Sequence, residues 1–313
     1  MTSSIPKKLR QQFADTMLAV GQNDPDLVVL IGDISHFALQ PFAQACPGRF
    51  YNIGICEPTI VSIGAGLAKV GLYPVMHTIA PFLIERSFEQ IKLDFCYQHL
   101  GGNLITVGSA FDYSHLGCTH HCYDDWALIK SLSGTQIIYP ASPIEFDVLF
   151  RQTYRNENLT LFRLPENQHG CEFKETDLQF GKGIKVTDGR NLTIVVTGPH
   201  LQDAMNARTE LIHIGWEPEV IYIHTIKPLD IELIRASALK TRHVLVMEEH
   251  VRNGGLGDSV LGAIHDLGNI QFLWIGIPDV FIREYRSYQQ HCEALGLNRE
   301  GLIRQVQMFV AGS

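Results

Sequence analysis

Apolar runs of strand length alternate with helical spacings along most of the chain. Asp26–Gly32 reads as a buried strand ending in a polar turn, and Tyr51–Ile55 as the end of another. Leu104–Gly108, Gln136–Tyr139 and Leu159–Arg163 have the same character. Between them Ile84, Phe88, Ile91 and Phe95 recur at helical spacing. Short connections between alternating strands and helices predict a parallel sheet with helices on both faces. The pattern breaks at Pro165–Lys185, where Pro165, Gly170, Gly181 and Gly183 sit among charges. It then resumes with strands at Leu192–Thr197, Val220–His224, His243–Glu248 and Ile270–Ile275. A helix with apolar positions Leu201, Met205, Leu211 and Ile212 lies among these. The fold class expected is α/β: two three-layer domains with mostly parallel sheets, over 1–170 and 186–313, joined by a linker at 171–185.

The 313 residues are enough for two ordinary domains, and 45% apolar against 19% charged content suits a well-buried globular protein. A net charge of -8 with no basic run argues against a nucleic-acid binder. No apolar stretch reaches membrane-spanning length, and Met1–Gln12 carries Lys7, Lys8 and Arg10 but no signal-peptide core. Seven scattered cysteines are not a disulfide framework. A cytoplasmic protein with reduced thiols is the expectation.

The segment Gly54-Ile55-Cys56-Glu57-Pro58 places a carboxylate where a strand turns into a helix rich in small residues. Pro58 suits the first helical turn. Glu57 is then either a favourable negative charge at a helix N-terminus or a buried carboxylate kept for chemistry. The loop His115–Asp125 is dense in histidine, cysteine and aspartate and follows a strand end, where parallel sheets bind ligands. Cys118, His120 and Cys122 match no common zinc spacing. A histidine acting as acid, base or charge stabiliser fits the loop better, while His115 and His121 can equally be satisfied by backbone. Phe82 can stack on a flat ring or belong to the core. Gly254–Ser259 resembles a phosphate loop but matches no nucleotide-binding spacing, so it reads as a tight turn.

Taken together, these residues resemble the second half of the transketolases. Glu57 in its Gly-Ile-x-Glu turn, Phe82 ahead of Arg86 and a Phe-Glu-Gln-Ile helix, and the Gly117-x-Thr119-His120 loop occur in the order and spacing of that family. Thr225–Asp230, Glu248-Glu249-His250 and the Gly254–Gly257 turn are similar to its C-terminal domain. The resemblance implies a pyrimidine-binding domain followed by a transketolase C-terminal domain. It implies thiamine diphosphate as cofactor, bound between subunits, with Mg2+ held mainly by a companion subunit carrying the diphosphate-binding domain.

By the same resemblance Glu57 bonds the aminopyrimidine ring nitrogen and favours its imino form, Ile55 touches that ring, Phe82 stacks on it, and Asp33 and Arg86 lie close by. His120 stabilises oxyanion charge on the substrate, and Arg10 and Arg163 hold a sugar phosphate. The chain departs from the family where Leu116 replaces a hydroxyl-reading Asp, Gly108 a substrate His, and Ile79 an aromatic. The function implied is the smaller subunit of a split transketolase-like enzyme, a heterotetramer that self-associates through this chain and acts on a small sugar or 2-oxo acid. The alternatives are the β subunit of a 2-oxo acid dehydrogenase and a non-catalytic assembly subunit.

Overall fold

The computed structural model describes residues 7–311; the first six residues and last two of the expected domain ranges lie outside it. In the first half, β1 (Leu27–Ile31), β2 (Phe50–Asn52), β3 (Tyr73–Ile79), β4 (Gly102–Val107), β5 (Thr135–Ile138) and β6 (Leu159–Leu164) form a parallel sheet. In the second, β7 (Ile184–Thr187), β8 (Leu192–Val196) and β9 (Pro218–Tyr222) precede β10 (Thr225–Lys227), β11 (His243–Val251) and β12 (Gln271–Ile277). The second sheet runs β12-β11-β8-β9-β7, with only β7 antiparallel. The first runs β10-β5-β6-β4-β3-β1-β2. Its outer strand β10 is thus donated by the second half, antiparallel to β5.

Each sheet is covered on both faces. Helices Leu9–Asn23, Gln40–Ala45 and Pro143–Thr153 bury Phe13, Met17, Phe42, Phe146 and Phe150 against one side of the first sheet. Helices Leu201–His213 and Arg299–Ala311 cover the second sheet through Leu201, Leu211, Leu302 and Val306. The remaining faces share one core, in which Ile60, Leu83 and Trp126 join Val195, Ile234 and Leu256. Among the described residues no helix is long and apolar enough to cross a membrane.

Four local expectations are corrected. β2 ends at Asn52, and Ile53–Cys56 turns instead of extending a strand. The helix expected around Ile84–Phe95 is three successive pieces, Ala80–Ile84, Phe88–Gln90 and a wider π-type turn Ile91–Cys96. Ile84, Ile91 and Phe95 still reach the core, because the wider turn restores their facing. Ile212 points outward, 40% exposed. β7 starts inside the stretch read as a linker. The Gly254–Ser259 turn opens the helix Leu256–Ile264, whose first N–H groups are taken by the chain's own Glu248: Leu256 N–H at 2.5 Å and Gly257 N–H at 2.8 Å. A Cβ on Gly255 would come within 2.5 Å of that carboxylate, so the glycine admits Glu248 where a phosphate loop would admit its ligand.

Three buried histidines resist protonation in the fold. Burial pushes His77 down to about 3, His224 to about 4 and His250 to about 3. Each value lies below the unfolded value, so the unfolded chain binds more protons below about pH 6.5. Stability from these groups is complete above that pH and falls as pH drops toward the folded values, by about 1.4 kcal/mol per proton per pH unit. His77→Gln should therefore remove about one proton from the uptake on unfolding at pH 5, so that its urea midpoint falls less (or rises more) than the parent's between pH 7.5 and pH 5. Identical pH dependence of the two midpoints would contradict this.

Candidate functional site

The carboxyl ends of β1 to β4 converge on one edge of the first sheet, and the candidate residues stand there. After β1 the chain turns through Asp33, at φ 56°. Asn52, the last residue of β2, braces this turn: its Nδ2 donates to Asp33 Oδ1 at 3.0 Å, and its Oδ1 accepts from the Asp33 and Gly54 N–H groups. Gly54, at φ 80°, reverses the chain into Ile55, which is 75% exposed. Glu57 then opens the helix Glu57–Lys69 and is only 1% exposed.

Burying Glu57 there requires a partner, and Arg86 supplies one, its Nη1 donating to Glu57 Oε2 at 2.8 Å. The other oxygen, Oε1, has no hydrogen-bond partner among the described residues. The Arg86 guanidinium carbon lies 4.4 Å over the Phe82 ring, and His120 meets that ring edge-on at 5.0 Å. Glu57, Arg86, Phe82 and His120 therefore form one chain of contacts.

His120 sits on the loop that follows β4. Its Nδ1 shares a hydrogen bond of 2.9 Å with Thr119 Oγ1. Partial burial, with the neighbouring His115, holds its pKa below the usual histidine value. A neutral ring bonded at Nδ1 leaves Nε2 free to carry a donor proton. His121 faces inward among Phe111, Tyr123 and His291. Cys118 is exposed while Cys122 is buried, and the described residues contain no group of three or more ligand-type side chains placed to hold a metal.

Tyr113 joins a further member to the group. Its ring lies 6.4 Å from His120, and its hydroxyl accepts a short hydrogen bond from Arg10 Nη2. The same Arg10 nitrogen donates to Glu166 Oε1 at 3.0 Å. Gly108, at φ 91°, leaves room for the Tyr113 ring, which would lie 2.7 Å from a Cβ. A larger residue at position 108 would displace that ring.

The first half matches the model of the transketolase pyrimidine binding domain over residues 6–170, and the second that of the transketolase C-terminal domain over 181–302. The chain belongs to the transketolase family. It is 30% identical to one subunit of an apulose-4-phosphate transketolase of Phocaeicola vulgatus, over 96% of this chain and 97% of that one. It is 27% identical to a 6-deoxy-6-sulfo-D-fructose transketolase subunit of Clostridium sp. (strain MSTE9), over 95% and 92%. Against a 1-deoxy-D-xylulose-5-phosphate synthase of Syntrophotalea carbinolica it is 30% identical but spans only 48% of that protein. A solved split-gene transketolase, described as an inactive beta4 tetramer, superposes with TM-score 0.88 at 29% identity, covering 97% of this chain and 98% of that one.

One residue read from the transketolase resemblance does not stand where a substrate could reach it. Arg163, expected to hold a sugar phosphate, is fully buried. Its guanidinium lies between the rings of Trp126 (4.9 Å) and Tyr139 (5.0 Å), pairs with Asp125 at 3.4 Å and donates to the Cys122 carbonyl. It is a cation of the core beneath the transketolase loop, because its charge is spent on interior partners. Arg10 is half-buried and bonded to Tyr113 and Glu166. The sequence signalled neither Tyr113 nor Glu166; Asn52, a polar residue at a strand end before a Gly turn, could have been suspected.

Removing Arg163 should therefore cost stability before it costs binding. Arg163→Leu leaves Asp125 buried and unpaired, and should lower the unfolding free energy by about 3–5 kcal/mol. Arg163→Leu combined with Asp125→Leu should recover part of that loss in urea titrations. If Arg163→Leu unfolded like the parent chain and instead raised KM for sugar phosphates, the buried role would be refuted.

Proposed function

We propose that this chain is the smaller subunit of a split transketolase-like enzyme, which transfers a two-carbon ketol or related acyl unit with thiamine diphosphate. A companion subunit binds the diphosphate and Mg2+, and the two chains form a cytoplasmic heterotetramer. The carrying observation is the buried Glu57 with one oxygen unpaired, opening beside Phe82 and the His120 loop. Such a carboxyl suits a weakly basic ring nitrogen, exposed Ile55 suits the ring's apolar face, and Phe82 suits its stacking. The residues therefore fit an aminopyrimidine. When bound, thiamine diphosphate supplies the electron sink of the reaction.

The chain's own side chains do the rest. Glu57 would hold a proton on the ring nitrogen through Oε1, and Arg86, bonded to Oε2, fixes the orientation of that carboxyl. The neutral His120 presents Nε2–H to the substrate oxygen on which negative charge develops. Asp33, braced by Asn52, lines the same edge. Arg10 lies two side chains from His120 and contacts the far end of the substrate. The relatives do not favour the 2-oxo acid dehydrogenase reading, because those quoted above are transketolase subunits and a deoxyxylulose-phosphate synthase.

The purified chain with thiamine diphosphate and Mg2+ should be inactive until the companion subunit is added; robust turnover by this chain alone would defeat the proposal. In the assembled enzyme Glu57→Gln should abolish or severely slow hydrogen–deuterium exchange at the thiazolium carbon while the fold persists. An unchanged exchange rate removes Glu57 from the mechanism.

His120→Ala should lower turnover by roughly two to three orders of magnitude, the usual cost of losing one oxyanion donor. His121→Ala, at a ring turned into the core, should do less to single-turnover rates at saturating cofactor. The reverse order would mean that His121 is the working residue.

A further inference from the structure

The far end of this site carries an arginine whose charge is already answered. Arg10 Nη2 is shared between the Tyr113 hydroxyl and Glu166 Oε1. A guanidinium recognises phosphate by offering paired N–H groups and a net positive charge. Here one nitrogen is engaged and the charge is cancelled by a carboxylate at 3.0 Å. Arg163, the other arginine in the vicinity, is sealed in the core.

Glu166 is held in this position by its surroundings. Its backbone N–H donates to Asp112 Oδ2 at 2.9 Å, and Asn167 Nδ2 donates to Asp112 Oδ1 at 3.0 Å. The Ser109 N–H and hydroxyl donate to the same Asp112 Oδ2 at 2.7 and 2.9 Å, tying the strap at 166–167 to the residue after Gly108. Arg10 and Lys8, which line this cleft, are matched by Glu166 and by Asp112 behind it, so no net positive charge is left where a phosphate dianion would arrive.

We propose that Glu166 is a specificity residue: by holding Arg10 it closes this end of the site to phosphate esters, so that the substrate is a ketose or hydroxyketone ending in a free hydroxyl. The proposal rests on the functional reading above. An exposed ion pair contributes little to stability, so the effect does not come from the strength of the pair. It comes from the repulsion that a dianion meets at Glu166, a cost that a neutral hydroxyl avoids. Tyr113 and Glu166 offer that hydroxyl a donor and an acceptor.

The test is a titration of the full chain with inorganic phosphate by calorimetry. The parent chain and Glu166→Asp should give no binding in the millimolar range. Glu166→Gln should bind phosphate at least about tenfold more tightly, and adding Arg10→Ala should abolish the gain. Arg10-dependent phosphate binding by the parent chain, or no gain in Glu166→Gln, overturns the proposal. In the assembled enzyme, kcat/KM for xylulose 5-phosphate relative to xylulose should rise at least about tenfold in Glu166→Gln, through KM and not kcat. A parent enzyme that prefers the phosphate ester also overturns it. If the enzyme uses neither donor, the functional reading has failed, while the phosphate titration still decides the role of Glu166.

Discussion

The ion pair of Arg163 with Asp125 sets where the His120 loop can lie, because it anchors the loop's far end inside the protein. Asp125 begins the short helix that ends the loop, and Cys122, whose carbonyl Arg163 holds, lies three residues earlier. Trp126, beneath the guanidinium, stacks on His250 of β11 at 4.8 Å, and Tyr123 O accepts from Val251 N–H at 2.8 Å. The buried cation thus ties β6, the loop and the second sheet together. Arg163 Nε and Nη1 and both Asp125 oxygens make no hydrogen bond among the described residues, so the pair holds by charge at 3.4 Å and by the one bond to the Cys122 carbonyl. The loop's other side is fastened through Ser114 Oγ, which donates to the Arg286 carbonyl at 2.5 Å. The loop carrying His120 is thereby fastened to the interior on both sides.

Strands with unbroken apolar runs were legible in the sequence. β1, β4, β6, β8 and β11 are read within a few residues because burial on both faces leaves little choice of side chain. β3 was not legible, since Pro74, His77 and Thr78 interrupt its run. The fold accommodates His77 by bonding its two ring nitrogens to the Ile105 carbonyl and Ser35 Oγ, at 2.8 and 2.9 Å. Such compensation depends on neighbours 28 and 42 positions away, which no local pattern records. β10 is three residues long and pairs with the other half, so it carries no periodicity of its own.

The candidate site divides in the same way. Glu57, Phe82, Arg86 and His120 were visible as residue types at family spacing, and the structure brings them into contact. What spacing could not show is what else each charge faces. Arg163 and Arg10 look alike in sequence, yet one is enclosed by aromatic rings and the other lies against Glu166. The Gly108 departure looked like the loss of a group; in three dimensions it is also the space that Tyr113 fills.

β10 has a consequence for the order in which the protein comes into being. On a ribosome the first half emerges with β5 as a bare sheet edge, its N–H and C=O groups at Ile137 and Ile138 unanswered until residues 225–227 follow. An open edge of this kind invites pairing with other nascent chains. Lys227 then closes it twice over, through the strand and through its ammonium, which donates to Leu132 O and Thr135 Oγ1 at 2.8 Å. The amino-terminal domain is therefore finished by a later part of its own chain, and a cut between the halves would leave both of them incomplete.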